Sequence, residues 1–162
     1  MRKLLLVVCS VLLCAAVAAA QASLTSQWKC AKVTGAHSFD VGDQPNHSYS
    51  LNQINCSSIK GEVGGVREKD GAGTEFHDNA GNTSTSHGVF VVTAANGDKL
   101  HYSYKSVGTM AGENFQSGSN TWSIIGGTGK FKGAKGSGSC NGKGSPDGSS
   151  MWDCKGNYTL AK

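Results

Sequence analysis

A glycine-rich stretch with lysines inside it, GGTGKFKGAKG at residues 126–136, has the composition of a loop that cradles phosphate. A P-loop that ended at Gly129-Lys130 would need glycine at position 124 and a hydroxyl residue at position 131. Those positions hold Ile124 and Phe131. A dinucleotide-binding fingerprint in the same stretch lacks its last glycine, because Lys132 takes that position, and so many glycines do not form the helix that must follow. The spacing therefore argues against nucleotide chemistry.

The same stretch is better explained as a β-hairpin. Gly127-Thr128 suits the centre of a type II′ turn, whose first central residue needs a positive φ. With that turn, Ile124 lies opposite Phe131 and Trp122 lies opposite Gly133, so that a glycine leaves room for the indole. The residues to which this hairpin assigns a structural role are Gly126, Gly127, Thr128, Gly129 and Gly133.

Cysteines offer either metal or disulfide chemistry, and their spacing favours disulfides. Four cysteines lie beyond the N-terminal segment: Cys30, Cys56, Cys140 and Cys154. No C-x-x-C pair occurs, so we predict no metal site, and an even number in an exported chain predicts two structural disulfides. Three pairings are open. We favour Cys30 with Cys56 and Cys140 with Cys154, because each pair brackets a strand–turn–strand.

Histidines and carboxylates are the remaining candidates for acid–base chemistry. The nearest approach to an acid–base pair is His77-Asp78 with His87, but no two of the five histidines have the i, i+2 spacing that places two ligands on one strand face. We expect these histidines to be solvated or hydrogen-bonded. Acidic residues gather in the middle third of the chain, namely Glu62, Glu68, Asp70, Glu75 and Asp78. Basic residues are interleaved with them, so we interpret the region as a solvated loop, and a general base near a cavity mouth is the alternative.

The elements that must position these residues are strands. Runs of strand-forming residues recur between turn residues, and no helical period is sustained. The predicted runs are 24–33, 36–41, 47–55, 57–67, 73–78, 85–95, 98–107, 119–126, 129–139 and 151–160. This spacing is typical of an all-β sandwich or barrel.

The dipeptide Asn96-Gly97 predicts a two-residue type I′ turn between two of these runs. That register sets Val91 opposite Tyr102 and Val89 opposite Tyr104, which makes this the apolar, inward face of a barrel. The candidates for lining a cavity are Tyr102, Tyr104, His87, Val89, Val91, Trp122 and Phe131. The alternative is that these side chains fill the barrel completely.

The N-terminal segment has the order of a secretory signal peptide: Met1-Arg2-Lys3, an apolar run over 4–13 and alanines over 15–20. We predict a signal peptide over 1–20, with cleavage after Ala20 or after Ala22, and a single domain over 23–162 that is exported to the periplasm or the cell exterior. Loss of Arg2 and Lys3 leaves 13 basic and 11 acidic residues, a net charge of +2. Without a basic stripe, nucleic-acid and membrane-surface partners are not predicted, nor is a membrane span.

The stretch IIGGTGKFKGAKGSGS at residues 124–139 resembles the motif G-G-T-G-x-[FY]-x-G-[AV]-x-G of the allene oxide cyclase barrel and the related dirigent proteins. The resemblance implies an eight-stranded antiparallel, calycin-like β-barrel, often assembled as a homo-oligomer. Ten predicted runs exceed eight strands, so some runs must be loops or halves of bent strands, in particular the run 73–78 and the two runs separated at Gly35. Members include cofactor-free cyclases of fatty-acid epoxides and proteins that steer the radical coupling of phenols. Their catalytic residues cannot be matched to positions in this chain.

Three functions are consistent with these features. The one we favour is a non-catalytic, exported binding module that holds a small apolar or amphipathic ligand or contacts a surface partner, without a cofactor or metal. The second is a cofactor-free cyclase or isomerase of the allene oxide cyclase type. The third is a structural subunit of an envelope assembly, which a fully packed interior would favour.

Overall fold

Side chains alternate between a buried and an exposed face along most of the chain, which is the period of strands. In the first strand Leu24, Ser26, Trp28 and Cys30 are buried and the residues between them are more exposed. A computed structural model describes residues 21–34, 36–112 and 114–161. The predicted signal peptide, residues 1–20, lies outside that part of the chain.

Ten strands and one short 3₁₀-helix make up the described secondary structure. They are β1 (Ala22–Cys30), β2 (His37–Asp40), β3 (His47–Lys60), β4 (Glu62–Val63), β5 (Val66–Ala80), β6 (Thr83–Ala94), β7 (Lys99–Ala111), β8 (Asn114–Gly127), the 3₁₀-helix (Gly129–Phe131), β9 (Lys135–Gly144) and β10 (Ser150–Thr159). In the same residues there is no helix long and apolar enough to cross a bilayer.

The eight long strands form a closed antiparallel barrel, which confirms the predicted fold class. Around the barrel the order is β3, β1, β10, β9, β8, β7, β6 and β5, and β5 pairs with β3 to close it. The short strand β2 pairs with the same edge of β3 as β1 does, so these two are successive pieces of one bent wall, as expected from the two runs around position 35. The run 73–78, by contrast, belongs to the full barrel strand β5.

The hairpin between β6 and β7 has a different register from the predicted one. A turn at Ala94 to Gly97 is closed by a hydrogen bond from Gly97 N–H to Ala94 C=O, and Gly97 takes φ 85°. This is a three-residue loop with a glycine bulge, not a type I′ turn. Val91 consequently pairs with His101, and Val89 pairs with Ser103. Because a slip of one residue reverses the faces of a strand, Val89 and Val91 point outward, and Phe90 and Val92 point inward.

The predicted hairpin at Gly127-Thr128 is also wrong. The chain forms the 3₁₀-helix there, and Trp122 pairs with Gly138 rather than with Gly133. The GGTGKFKGAKG stretch instead makes hydrogen bonds and packing contacts at one end of the barrel. Thr128 exchanges two 2.8 Å hydrogen bonds with the backbone of Lys99. The 3₁₀-helix also places Phe131, which is 1% exposed, at this end of the barrel interior.

Glycines on the inner faces of the strands accommodate the large aromatic side chains. A Cβ at Gly138 or at Gly156 would lie within 2.5 Å of the Trp122 ring, and a Cβ at Gly71 would lie 2.1 Å from the Phe90 ring. Such distances are below any contact that real Cβ atoms make, so these rings occupy the space that a side chain would need. These three glycines therefore serve the packing of aromatic rings inside the barrel.

Both disulfides join adjacent strands at directly opposite positions. Cys30 of β1 bonds Cys56 of β3, and Cys140 of β9 bonds Cys154 of β10. This is the pairing that we favoured among the three. Disulfides of this kind persist in an oxidising compartment, and the two bonds fit such a location.

Candidate functional site

The barrel interior holds a cavity of 1090 Å³. One end is closed, because Val63, Leu100, Phe131 and Ala134 are at most 1% exposed there. The other end opens among exposed polar residues that include Lys32, Asp40, Asn46 and Asn114. Ligand sites in proteins are commonly about 300–1,000 Å³, so a small organic molecule fits this space. The interior is therefore not packed solid, which removes the observation that would have favoured a purely structural subunit.

Aromatic rings line the deep half of the cavity. Trp28 of β1 meets Phe90 of β6 edge to face, with ring centroids 5.5 Å apart. Tyr102 of β7 meets Trp122 of β8 in the same way at 5.4 Å. Edge-to-face pairs hold each other in a defined orientation, so the apolar wall is preorganised.

A buried carboxyl group, Glu68 of β5, is also part of the deep wall. Glu68 is 2% exposed, and its Oε2 atom has no hydrogen-bond partner among the described residues. A β-bulge between Glu68 and Asp70 turns this side chain inward, because the remainder of β5 presents odd-numbered residues to the cavity. Burial raises the pKa of Glu68 to about 7, partly offset by a hydrogen bond with Ser26.

The phenol of Tyr102 faces the same region. Its hydroxyl oxygen is buried and without a partner in the described part of the chain. Burial raises the pKa of Tyr102 well above its usual value, and the Glu68 charge adds to this effect. The phenol thus stays protonated, and it can donate a hydrogen bond to a molecule in the cavity.

A second polar group lies nearer to the mouth. Tyr104 donates a 2.5 Å hydrogen bond to Oε2 of Glu75, and Oε1 of Glu75 lies 2.8 Å from Nε2 of His77. His77 Nδ1 lies 2.9 Å from the Ser84 hydroxyl. Burial and the Glu75 carboxylate raise the pKa of Tyr104 above its usual range. These contacts link inward-facing side chains of three strands, β5, β6 and β7.

Two further amide oxygens line the cavity without a described partner, Oδ1 of Asn52 and Oδ1 of Asn120. A buried acceptor without a hydrogen bond is unfavourable, so groups of this kind are usually satisfied by water or by a ligand. The middle of the cavity therefore presents hydrogen-bonding capacity to whatever occupies it.

At the rim, His47 lies between two carboxylates. Its Nδ1 atom is 2.5 Å from Asp43 and its Nε2 atom is 3.1 Å from Asp78. The hydrogen bond with Asp43 raises the pKa of His47 and lowers the pKa of Asp43, and Asp78 adds to the shift in His47. The three side chains tie the loop before β3 to the end of β5.

Of the residues predicted to line a cavity, Tyr102, Tyr104 and Trp122 do so. Phe131 is buried at the closed end and is outside the lining. Three of the predicted residues are on the outer surface, because of the one-residue register difference in the β6–β7 hairpin: His87, Val89 and Val91. His87 packs there against Phe76, with ring centroids 5.5 Å apart.

Glu68 and Glu75 are both buried, whereas the sequence pattern favours a solvated loop for them, with a general base near a cavity mouth as the alternative. The signal that could have found one of them is the spacing Glu75-x-His77, which puts a carboxylate and an imidazole on one face of a strand. Glu68 carries no such signal, because its orientation depends on the bulge. Across the described residues, no three His, Cys, Asp or Glu side chains are arranged to hold a metal ion.

The fold and the cavity define a class of protein: a closed β-barrel with a ligand-sized chamber open at one end. No known protein family profile matches the sequence, and no functionally curated protein matches it either. Among solved structures, the pterocarpan synthase dirigent protein GePTS1 is similar with a TM-score of 0.52 at 14% identity, over 89% of this chain and 90% of that chain.

Two further structures are similar at lower scores. The pterocarpan synthase dirigent protein PsPTS1 has a TM-score of 0.49 at 13% identity, over 88% of this chain and 97% of that chain. A pyocyanin demethylase has a TM-score of 0.43 at 17% identity, over 82% of this chain and 98% of that chain. The likeness to the first dirigent protein supports a shared barrel fold.

Proposed function

We propose that this protein is an exported binding module that takes a small amphipathic molecule into its barrel. The observation that carries the proposal is the open 1090 Å³ cavity with aromatic rings in its deep half and polar groups in its middle. Such a cavity suits a ligand that combines apolar and polar groups. The barrel shared with a dirigent protein and the glycine motif support membership of the wider allene oxide cyclase and dirigent superfamily.

We also propose that the protein is exported. The N-terminal order of a basic start, an apolar run and small residues supports secretion, and two disulfides support an oxidising destination such as the periplasm or the cell exterior. Sequencing the N-terminus of protein recovered from the exported fraction tests this. A mature chain that starts at Gln21 or Ser23 supports it, and a retained Met1 contradicts it.

The test of binding is mass spectrometry of small molecules released by solvent from protein purified natively under oxidising conditions. We expect a reproducible organic species in the wild type. Ser86→Phe should abolish it, because Ser86 points into the cavity and a ring there takes up ligand space. Thr85→Phe is the matched control, because Thr85 is next to Ser86 on β6 and is exposed. Equal recovery from both variants would contradict binding inside the barrel.

A second candidate function is proton transfer in a cofactor-free cyclase or isomerase. The observation that favours it is Glu68, whose pKa of about 7 suits a general acid or base near neutral pH. Tyr102 would donate a hydrogen bond to the reacting group. If the released species is converted by wild type and not by Glu68→Gln, the protein is an enzyme. If wild type and Glu68→Gln both bind the species and neither converts it, the result supports the binding module and not the enzyme.

A further inference from the structure

The charges inside the cavity are unbalanced. Of the charged side chains that line it, Glu68 and Glu75 are buried, and the one lysine, Lys32, is at the open end. Glu75 accepts a hydrogen bond from Tyr104 and lies 2.8 Å from Nε2 of His77. Glu68 has no cationic partner among the described residues of the deep half. The deep half therefore carries an uncompensated negative charge whenever Glu68 is ionised.

The neighbours of Glu68 are suited to a cation. Four aromatic rings line the same part of the cavity: Trp28, Phe90, Tyr102 and Trp122. The Trp28 indole N–H donates a 3.2 Å hydrogen bond to Ser26 Oγ, so the polar atom of this ring already has a partner. Aromatic faces attract cations within about 6 Å, and the attraction is strongest where water is excluded.

The backbone around Glu68 accommodates its inward-facing carboxyl group. The bulge in β5 turns the carboxyl inward, and Gly61 leaves space for it, because a Cβ at position 61 would lie 1.9 Å from Oε2 of Glu68. Burying an ionised group without a partner is unfavourable in free energy. A carboxyl group in this place therefore indicates more than an apolar chamber.

We propose that the deep half of the cavity binds an organic cation, a quaternary ammonium or a protonated amine attached to an apolar group, with its nitrogen between the Glu68 carboxylate and the four rings. This proposal rests on the proposed binding function and adds the class of ligand. A neutral hydroxyl group would give Glu68 a hydrogen bond but would leave its charge uncompensated. A cation supplies the missing charge and also interacts with the ring faces.

The test compares two probes of the same shape, benzyltrimethylammonium and neopentylbenzene, in which carbon replaces the nitrogen. Each is titrated into the full disulfide-bonded protein at pH 8.5, where Glu68 is ionised, and binding is followed by tryptophan fluorescence. We expect the cation to bind about tenfold more tightly than its isostere. Glu68→Gln should remove this preference while leaving the affinity for neopentylbenzene unchanged.

Asp70→Asn is the matched control, because it removes one negative charge from an exposed position on the same strand. It should leave the preference for the cation intact. Phe90→Leu provides a second variant that keeps an apolar wall, and it should weaken binding of the cation more than binding of the isostere. Near-UV circular dichroism establishes that each variant is folded.

The outcomes separate the two proposals. Equal or tighter binding of neopentylbenzene by the wild type overturns the cation proposal and leaves the binding module standing. Binding of neither probe by the folded wild type overturns the cation proposal, and a further failure to recover any small molecule from native protein overturns the binding module as well. A preference for the cation that survives in Glu68→Gln also overturns the proposal, because the carboxylate would then have no part in it.

Discussion

Tyr104 of β7 donates its hydrogen bond to Glu75 of β5 across the intervening strand β6, at the point where β6 has a glycine. Gly88 pairs with Glu75 on one side and with Tyr104 on the other. A Cβ at Gly88 would lie 2.4 Å from the carbonyl oxygen of Thr74. Because Gly88 has no side chain, the phenol of Tyr104 can pass over β6. The resulting hydrogen bond joins β7 to β5, two strands that are not neighbours in the sheet.

Loss of that hydrogen bond should weaken the fold. Tyr104→Phe removes the donor and leaves the carboxylate of Glu75, which is 8% exposed, with one partner fewer. We expect the free energy of unfolding, measured by urea denaturation, to fall by about 1–3 kcal/mol. Tyr49→Phe is the control, since Tyr49 is 39% exposed on the outer surface. An equal change in both variants would mean that the Tyr104–Glu75 contact contributes nothing specific.

The pH dependence of the free energy of unfolding should reveal the ionisation of Glu68. Its pKa is about 7 in the folded protein and about 4.3 in the unfolded chain, so between these values the folded state binds more protons. Raising the pH through this window therefore lowers the free energy of unfolding, by about 3 kcal/mol. Glu68→Gln should remove that decline.

The measurement is the difference between Glu68→Gln and wild type in urea denaturation from pH 4.5 to pH 8. Other titrating groups, including His47, act in both proteins and cancel in the difference. The phenol of Tyr102 stays protonated in this range, because burial raises its pKa well above its usual value. A difference that does not vary with pH would show that Glu68 titrates as an ordinary surface carboxyl group.

The glycine beneath Trp122 should not tolerate a larger residue. In Gly138→Ala the new Cβ would lie 2.4 Å from the Trp122 ring and 2.2 Å from a backbone oxygen of β10. We expect a loss of about 1–3 kcal/mol in the free energy of unfolding and a changed near-UV circular dichroism spectrum. In Gly126→Ala the nearest neighbour of the Cβ is a ring nitrogen at 3.5 Å, so this variant should be neutral or slightly more stable.

Each disulfide should stabilise the barrel by restricting the unfolded chain. The bonds span 26 and 14 residues, and loops of this size are worth about 3 kcal/mol each. For a domain of this size, removal of one bond by a double Cys→Ala substitution should lower the midpoint of thermal unfolding by about 10 °C. Calorimetry of the two double variants, alone and combined, measures this. An unchanged midpoint would contradict a stabilising role.

The rim histidine should titrate above the usual value for histidine. The pKa of His47 is raised chiefly by its hydrogen bond with Asp43, and Asp43→Asn should lower it more than Asp78→Asn does. Because the pKa is raised in the folded state, the stabilising effect of this contact is present below about pH 6.5 and is lost as the pH rises through the folded value. NMR titration of the imidazole resonances measures both shifts, and a pKa that both variants leave unchanged would contradict the contact.

The candidate site could be predicted from the sequence only in part, and the reasons are geometric. Tyr102, Tyr104 and Trp122 line the cavity, on the inner face that the sequence pattern predicts for them. Val89 and Val91 were placed on the wrong face, because the loop at Gly97 has three residues and not two. A difference of one residue in a loop is small in sequence and reverses a whole strand face.

What the sequence by itself determined is the class of fold and the covalent framework. Strand-forming runs between glycine turns predicted a sandwich or a barrel, the resemblance of the GGTGKFKGAKG stretch implied the barrel, and four cysteines predicted two disulfides with one pairing favoured. What only the tertiary structure decided is the chemistry of the interior. The bulge that turns Glu68 inward, and the empty position at Gly88 that lets Tyr104 reach Glu75, exist only when distant strands are paired, because register is a relation between strands and not a property of any one of them.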